Sequence, residues 1–375
     1  MQKKIKICFL IPQLSIGGAE INVVKLSSYL LNNGFLITVL YEGENDEGAL
    51  RAKFSHGIKF QKLAYKSNWI STVTYINYLK QINADILIAT TYFSAIRLLM
   101  ARLFSKNKCK IILWASTHFS TFIHFSHSWK EKFFLQVYGG IFLNLADKII
   151  ATCEPQAEDM HASLKIAHSR IDTIYNPVIE TKYKFEDTTS INQPWLAEKN
   201  RPFKVIIMVG RLTADKCIVE FLEIFKQAAQ LEELKLVILG EGELEKEIKE
   251  SIRSLALESK VAMIGFQSNH LDCIASADLY VVNSRVEGLN NIIIESLSCG
   301  TTVISRDCPV GPGFILGKND CGRLVEVGDN KMMLDVIIEE VRDPSNFTYE
   351  MQKRSEDFTV EQAGIKFEET FNSVL

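Results

Sequence analysis

The stretch Leu279-Tyr-Val-Val-Asn-Ser-Arg-Val-Glu287-Gly-Leu-Asn-Asn-Ile-Ile-Ile-Glu295 decides how this sequence folds. It begins with a short apolar run, passes through the turn residue Gly288, and continues with helical periodicity. Asn290 or Asn291 can cap the predicted helix, so Glu287 precedes its start and Glu295 lies about one turn inside it. A strand that leads into a capped helix is the repeating unit of doubly wound α/β domains.

The same alternation of short apolar runs and helix-period segments extends along the chain, which predicts parallel strands covered by helices. Strands are predicted at Ile5–Ile11, Leu36–Tyr41, Ile86–Ala89, Ile111–Ala115, Lys148–Ala151, Lys204–Val209, Lys235–Leu239, Val261–Ile264, Leu279–Val282 and Thr302–Ile304. Helices are predicted at Glu20–Asn32, Ile218–Ala228, Leu244–Leu257, Asn291–Ser298 and Lys331–Val341.

A domain boundary is predicted between Asn176-Pro177 and Arg201, where the sequence is polar and rich in Thr, Asn and Lys. Residues 1–180 and 181–356 would then form two Rossmann-like, doubly wound parallel-sheet domains that face each other across a cleft. The length of 375 residues and the apolar fraction of 47% are sufficient for two such cores.

Charge is distributed unevenly between the two halves. Residues 1–180 contain 20 Lys and Arg against 13 Asp and Glu, whereas the remainder contains 22 against 32. A basic half predicts an anionic partner, such as a phospholipid surface or a diphosphate-linked acceptor, with uneven solvated faces as the alternative. The acidic second half and the absence of an RNA-binding motif disfavour nucleic acid as a partner.

The eight cysteines form no Cys-x-x-Cys pair, which indicates reduced thiols and a cytoplasmic location. The apolar stretch near the start is too short for a signal peptide, and no apolar run reaches the roughly 18 residues of a membrane span. Two apolar segments with cations, Ala95–Phe104 and Trp129–Phe134, fit interfacial helices on the inner face of an anionic membrane. The alternative is that these helices cover the sheet of their own domain.

Two loops that follow predicted strands are candidates for phosphate binding. Gly17-Gly18 opens a helix, where close backbone approach and free amides favour anions, although a tight turn explains the glycines equally well. Arg211 and Lys216 follow the first strand of the second half and together can clamp a diphosphate, although cations are also common in surface loops.

Glu287 lies before the predicted helix start and Glu295 lies inside the helix. The first backbone amides of this helix can donate hydrogen bonds to phosphate oxygens, and the two carboxylates can accept hydrogen bonds from sugar and ribose hydroxyls. An acid in a first helical turn is also ordinary dipole-favoured chemistry. The sequence has neither an Asp-x-Asp pair nor two histidines spaced for a metal, so we expect no metal and no bound cofactor.

The spacing of Glu287, Gly288 and Glu295, with Gly300 after the helix, resembles the signature of glycosyltransferase family 4. Further matching stretches are Gly17-Gly18-Ala19-Glu20, Tyr175-Asn176-Pro177, Gly210-Arg211-Leu212, Gly240-Glu241-Gly242, Gly265-Phe266, Ser276-Ala277-Asp278, Cys308-Pro309-Val310-Gly311-Pro312 and Gly322-Arg323-Leu324-Val325. The resemblance implies the GT-B fold, retention of anomeric configuration, and a last helix, about residues 357–375, that packs on the first domain.

The resemblance also implies roles for individual residues. Arg211 and Lys216 would hold the donor diphosphate and stabilise the leaving group, and Glu295 would bind the ribose. Glu287, Gly288 and the amides around Leu289–Asn291 would meet the donor sugar or phosphate, and the loop of Gly265, Phe266 and Gln267 would lie against the base. His118 would project toward the donor sugar. The chain departs from the family pattern at Asn290, where Pro is frequent, and at Phe314, where a Glu is usual.

The expected function is retaining transfer of a sugar from a nucleotide-diphosphate sugar, with UDP favoured, to a glycan or lipid-linked acceptor in polysaccharide, lipopolysaccharide or capsule biosynthesis. The nucleotide sugar would be a co-substrate. Alternatives are a nucleotide-sugar epimerase of the same fold, a non-catalytic binding protein, and a nicotinamide-dependent oxidoreductase. The last lacks the Gly-x-Gly-x-x-Gly fingerprint in the first half.

Overall fold

The structure is a computed structural model that describes residues 4–43, 48–63, 70–125, 128–181, 183, 191–198 and 200–375. The chain divides into two compact units. The N-terminal unit comprises Met1–Glu180 with Phe358–Leu375, and the C-terminal unit comprises Thr181–Asp357. Part of the polar stretch before Arg201, predicted as a connection, lies outside the described residues.

The N-terminal unit contains a parallel sheet whose strands have the order β3-β2-β1-β4-β5-β6-β7. Its strands are β1 (Lys6–Ile11), β2 (Leu36–Tyr41), β3 (Lys59–Lys62), β4 (Ile86–Ala89), β5 (Lys110–Ala115), β6 (Lys148–Ala151) and β7 (Ile171–Thr173). Its first helices are α1 (Gly18–Asn32), α2 (Gly48–Arg51), α3 (Ile70–Gln81), α4 (Tyr92–Ser105), α5 (Phe119–Phe125), α6 (Trp129–Phe142) and α7 (Glu154–Leu164).

Both faces of this sheet are buried, as the continuous apolar runs predict. In β1, Cys8 and Leu10 belong to the core on one face, while Ile7, Phe9 and Ile11 belong to the core on the other. Alternating strand residues point to opposite faces, so a strand that is apolar throughout requires helices on both sides. The sheet order reverses between β1 and β4, which is where ligands bind in open α/β sheets.

The C-terminal unit contains a second parallel sheet with the order β10-β9-β8-β11-β12-β13. Its strands are β8 (Lys204–Val209), β9 (Leu234–Leu239), β10 (Val261–Gly265), β11 (Leu279–Val282), β12 (Thr302–Arg306) and β13 (Arg323–Val325). Its helices are α8 (Pro194–Ala197), α9 (Ile218–Leu231), α10 (Glu245–Ser254), α11 (His270–Ala275), α12 (Asn291–Cys299), α13 (Gly311–Leu316), α14 (Asn330–Arg342) and α15 (Thr348–Ser355). The predicted fold class, two doubly wound parallel sheets, is confirmed in each unit.

The last helix, α16 (Val360–Val374), belongs to the N-terminal unit although it follows the C-terminal unit in sequence. Its buried face consists of Ala363, Phe367, Phe371 and Val374, which join the core on one side of the first sheet. The ring of Phe367 meets that of Trp114 edge-on, with centroids 4.9 Å apart. This apolar face has helical spacing, so α16 completes a core that the first 180 residues leave open.

All ten predicted strands are present, and β3, β7 and β13 were not predicted. Each of these three is an edge strand of three or four residues. The burial of β3 shows why its sequence gives little signal, because three of its four residues are exposed or charged. Each of the three is short and carries polar residues, which discourage further pairing at a sheet edge, so it lacks the apolar run used for prediction. The fourth edge strand, β10, has such a run and was predicted.

Three loops at the carboxyl ends of β8, β9 and β10 are joined by backbone hydrogen bonds. The amide of Gly210 donates to the carbonyl of Leu239 (3.0 Å), and that of Gly240 donates to Gly265 (2.9 Å). Gly240 has φ of +129°, and a Cβ there would lie 1.8 Å from the carbonyl oxygen of Gly210. Only glycine allows the two backbones to approach this closely.

We expect Gly240→Ala to lower the free energy of unfolding by about 3 kcal/mol, because the added methyl group must displace backbone rather than a flexible side chain. Chemical denaturation of the full chain measures this change. Gly48→Ala is the matched control, since nothing lies within 4 Å of a Cβ at that exposed helix start. Equal unfolding midpoints for the two variants would show that the loops relax at little cost.

Candidate active site

The loops after β8 and β11 lie side by side in the C-terminal unit, at the point where its strand order reverses. The backbone amide of Arg285 donates to the carbonyl of Asp215 (2.9 Å), and the amide group of Asn283 donates to the carbonyl of Cys217 (2.9 Å). These bonds fix one loop against the other at the carboxyl edge of the sheet. The position is the one at which doubly wound sheets bind ligands.

Lys216 and Glu287 form an ion pair between these loops. The Nζ atom of Lys216 lies 2.7 Å from Oε1 of Glu287 and 3.3 Å from Oδ2 of Asp215, and Ser284 Oγ donates to the same Glu287 oxygen at 2.6 Å. Burial disfavours the charge on Lys216, but the attraction and hydrogen bonds of Glu287 and Asp215 together outweigh it and raise the pKa of the ammonium group above its ordinary value. The lysine is therefore a fixed, desolvated cation at neutral pH.

Arg211 lies on the same loop as Lys216, and its side chain is exposed. Among the described residues, no carboxylate lies within ion-pair distance of its guanidinium. The loop after β10 follows Gly265, with φ of +69°, and places Phe266 in an exposed position. Gln267 is held by a hydrogen bond from Nε2 to the carbonyl of Ile264 (2.7 Å). Of the residues predicted to bind the donor, Arg211 and Phe266 therefore face solvent.

The start of α12 is capped by its own sequence, which corrects one expectation. Oδ1 of Asn290 accepts hydrogen bonds from the amides of Ile292 (2.9 Å) and Ile293 (3.2 Å). These two amides were expected to receive phosphate oxygens, but the cap occupies them, as Asn does at many helix starts. Buried Tyr280 also hydrogen-bonds to Asn290. The contacts expected from the amides of Leu289–Asn291 remain a prediction.

Glu295 is buried in the second turn of α12, where it faces a residue that the sequence reasoning did not identify. Its Oε2 atom lies 3.0 Å from Nε2 of His270, the first residue of α11. The histidine is partly exposed and the carboxylate almost fully buried. His270 therefore orients one carboxylate oxygen of Glu295, the residue predicted to bind the ribose. No sequence spacing connects it to Glu295, since the two residues come from different helices.

The turn before α13 packs against the loop that carries Glu287. A parallel β-bridge joins Glu287 to Val310, and a Cβ on Gly311 would lie 1.7 Å from the carbonyl oxygen of Gly288. Val310 has φ of +88°, which is strained for a β-branched residue. Burial, with the charge of Glu287, raises the pKa of the Cys308 thiol to about 12. The Cys-Pro-x-Gly segment thus holds the loop by close backbone contact.

Phe314, where the family resemblance implies Glu, lies against Arg354 within the C-terminal unit. The guanidinium of Arg354 lies 4.8 Å from the centre of the phenyl ring, and its Nη2 atom donates to the carbonyl of Phe314 (2.8 Å). A cation over an aromatic face is a favourable contact. The substitution therefore replaces a carboxylate by a ring that packs on a cation.

Arg306, at the end of β12, is a second residue that the sequence reasoning missed. It is fully buried, and its Nε atom donates to Oδ1 of Asn283 (2.8 Å). Its Nη1 atom donates to the carbonyls of Glu326 (3.0 Å) and Asp329 (2.8 Å), and its Nη2 atom donates to Oδ1 of Asn330 (2.6 Å). Through Asn283, this guanidinium fixes the loop that carries Glu287. A buried arginine that donates hydrogen bonds from all three guanidinium nitrogens is a structural anchor.

In the N-terminal unit, Gly17 precedes α1 and Gly18 begins it. Gly17 has extended backbone and no side chain that could cap the helix. A Cβ at Gly17 would lie 2.4 Å from Oε2 of Glu20. The carboxylate of the Gly-Gly-Ala-Glu motif therefore folds back over its first glycine, and the phosphate-binding role of the two glycines remains a prediction.

His118 follows β5, and its ring is mostly buried. Its Nδ1 atom accepts a hydrogen bond from the amide of Thr121 (3.3 Å), which leaves the proton on Nε2, 3.5 Å from Oδ2 of Asp159. Burial lowers the pKa of His118 below its ordinary value of 6.5, and Asp159 opposes part of this shift. Both ring nitrogens thus have partners inside the N-terminal unit, and contact with a donor sugar remains a prediction.

No group of three or more His, Cys, Asp or Glu side chains that could hold a metal ion occurs among the described residues. Within the same part of the chain, no helix combines the length and the apolar character needed to cross a bilayer. The eight cysteines are all unpaired thiols.

Two family models match the chain and together account for most of it. Residues 16–182 match Glycosyltransferase Family 4, and residues 191–358 match Glycosyl transferases group 1. The first match contains Gly17, Gly18 and His118, and the second contains Arg211, Lys216, Glu287 and Glu295.

Among curated proteins, the chain is 34% identical over 188 residues to an N-acetylgalactosamine-N,N'-diacetylbacillosaminyl-diphospho-undecaprenol 4-alpha-N-acetylgalactosaminyltransferase of Campylobacter jejuni. This match covers 50% of the chain and 49% of that enzyme, so the chain spans about half the length of this relative. The amylovoran biosynthesis glycosyltransferase AmsD of Erwinia amylovora is 24% identical over 375 residues, which cover 98% of the chain and 99% of the relative.

Solved structures show the same fold over the full length. HepE of Anabaena, in complex with UDP and glucose, superposes with a TM-score of 0.81 at 18% identity and covers 98% of this chain and 100% of its own. The lipopolysaccharide outer core galactosyltransferase WaaB superposes with a TM-score of 0.74 at 20% identity, covering 99% of this chain and 100% of its own.

We expect the stability that neutral His118 provides to be fully present above pH 6.5 and to be lost as the pH falls below it. The reason is that the folded state lowers the pKa of the ring, so the unfolded chain binds the proton first. The measurement is the free energy of unfolding of the native chain and of His118→Gln between about pH 5 and pH 8.

The difference between the two proteins should shrink toward low pH, with a slope below about 1.4 kcal/mol per pH unit because a single proton is involved. A difference that grows as the pH falls would mean that the charged ring is the preferred form, bound to Asp159.

Proposed function

Because the chain belongs to glycosyltransferase family 4, we propose that it transfers a sugar from a nucleotide-diphosphate sugar to a growing glycan, with retention of anomeric configuration. Retention follows from the family resemblance. In the transfer, the bond from the anomeric carbon to the diphosphate oxygen breaks and a bond to an acceptor hydroxyl oxygen forms. The hydroxyl proton leaves with the diphosphate or to solvent.

The observation that carries the proposal is the desolvated cation Lys216 at the switch point of the second sheet, with the exposed Arg211 on the same loop. Negative charge develops on the diphosphate as the sugar leaves, and fixed cations stabilise it most where water is excluded. Because Lys216 is already charged and held by Glu287, little reorganisation is needed when phosphate oxygens become its partners.

The remaining site residues take roles around this clamp. Glu295, oriented by His270, accepts hydrogen bonds from the ribose hydroxyl groups. The exposed ring of Phe266 lies against the base. Glu287 holds Lys216 and would meet the donor sugar. For His118 and the Gly17-Gly18 turn, a role in donor binding remains a prediction. No metal is required, because Lys216 and Arg211 neutralise the diphosphate.

We propose UDP as the nucleotide and surface-polysaccharide or lipopolysaccharide biosynthesis as the setting. Support for UDP comes from the HepE complexes, and support for the setting comes from the names of AmsD and WaaB. The Campylobacter relative is named for a diphospho-undecaprenol acceptor, which favours a lipid-linked acceptor here as well. The epimerase alternative is not favoured, since the relatives described above that have named activities are transferases.

A donor screen tests the proposal by measuring release of nucleoside diphosphate from a panel of nucleotide sugars, with and without a chelator. We expect turnover with one donor, insensitive to the chelator. Arg211→Ala and Lys216→Ala should each reduce turnover by about 100-fold, because each removes a charge that acts on the leaving group.

Lys246→Ala is the matched control, since Lys246 lies on α10 of the same unit with a side chain that is 91% exposed. Its turnover should equal that of the native chain. Lys216→Arg retains a cation, so partial activity in this variant separates loss of charge from loss of folding. Full turnover in both alanine variants would refute the diphosphate clamp.

A further inference from the structure

Helix α6 is apolar on two opposite sides, although the N-terminal unit covers only one of them. Its inner side packs on the core that contains α4, where Leu135 is buried and the ring of Phe134 stacks on Phe93 at 5.8 Å. Its outer side carries Trp129, Phe133, Val137 and Ile141, spaced four residues apart and all exposed. A surface helix normally presents polar residues to water.

The outer side continues into a single apolar stripe. Leu145 follows the helix and is also exposed, and the side chain of Arg102 at the end of α4 hydrogen-bonds to the carbonyl of Leu145. This contact brings the exposed pair Leu103 and Phe104 next to Leu145. We call these seven residues the α6 stripe: Trp129, Phe133, Val137, Ile141, Leu145, Leu103 and Phe104.

The exposed fractions show how unusual the stripe is. They are 72% for Trp129, 58% for Phe133, 59% for Ile141 and 67% for Phe104. No charged residue occurs between Phe133 and Ala146. Single exposed apolar residues are ordinary, but a contiguous stripe along a helix of 14 residues, about 21 Å long, marks an interaction surface.

Cations lie at both ends of the stripe. Lys130 is adjacent to Trp129, and Lys106 and Lys108 follow Phe104 at the end of α4; all three are exposed. An uncharged apolar face with Trp at one end and lysines at both ends has the chemistry of a helix that lies in a membrane interface. The lysines reach anionic headgroups while the rings enter the acyl boundary.

From this arrangement we propose that the α6 stripe binds the surface of an anionic lipid bilayer. A second copy of the chain fits less well, because a two-fold contact through the stripe brings the lysines of one copy to the lysines of the other. Membrane binding does not depend on sugar transfer. Only the further link, presentation of a lipid-linked acceptor at this surface, rests on the proposed function.

Co-sedimentation of the full chain with vesicles tests the proposal, using phosphatidylcholine with or without phosphatidylglycerol and no nucleotide sugar. We expect binding to the anionic vesicles that weakens with salt. The combined change Trp129→Ser, Phe133→Ser and Ile141→Ser should reduce the partition by at least about tenfold. Replacing Lys106, Lys108 and Lys130 by Gln should reduce it similarly and remove most of the salt dependence.

The matched control is Leu231→Ser with Tyr349→Ser, since these side chains are exposed by 56% and 71% in the C-terminal unit. It should bind vesicles like the native chain. Tryptophan emission gives a direct readout: vesicles should shift it to the blue, and Trp129→Phe should reduce the shift, because the exposed Trp129 is the ring that enters the bilayer.

Binding of UDP to the stripe variant, measured by calorimetry, should be unchanged, which separates failure of this proposal from failure of the proposed function. Three results would overturn the membrane assignment. They are no binding of the native chain to anionic vesicles, equal binding by the stripe variant, or a native dimer that the stripe variant dissociates without any vesicle binding.

Discussion

The ion pair between Lys216 and Glu287 is the constraint on which the C-terminal site depends. Two charges taken out of water are tolerated only when their partners are fixed, because desolvation otherwise exceeds the attraction between them. The surrounding structure fixes these partners through the β8 and β11 loops, the bridge from Glu287 to Val310, and the buried guanidinium of Arg306, which bonds to Asn283.

Close backbone contacts at Gly240 and Gly311 also hold these loops in place. The glycines, the strained valine and the buried arginine are thus parts of one support for a charged centre.

The sequence predicted the central strands of both sheets because a strand buried on two faces must be apolar along its whole length. Lys204–Val209 and Leu279–Val282 were placed without error. The edge strands β3, β7 and β13 escaped prediction because each has only three or four residues and includes polar ones, whereas the edge strand β10 has an apolar run and was predicted. The sequence predicted the class of fold, a doubly wound parallel sheet, but not the order of the strands within each sheet. Pairing is decided by contacts between distant segments, and no local pattern records them.

Within the site, the sequence identified residues carried by loops with recognisable spacing, such as Glu287 and Glu295. It did not identify His270, Asp159 or Arg306, because each acts through a partner far away in sequence. His270 orients Glu295 from another helix, and Asp159 faces His118 from α7. The first amides of α12 were expected to be free, but the side chain of Asn290 turns toward them. Asn290 was recognised as a possible cap, but a cap necessarily consumes the donors that were assigned to phosphate.

The position of α16 has a consequence for biosynthesis of the chain. Phe367 and Phe371 fill a core whose other members, such as Phe9 and Val39, lie in β1 and β2, far earlier in the chain. During translation the N-terminal sheet must therefore wait, with one apolar face incompletely covered, while the whole C-terminal unit is synthesised. Until α16 has been synthesised, this face is a natural substrate for chaperones, and removal of α16 would leave it permanently open.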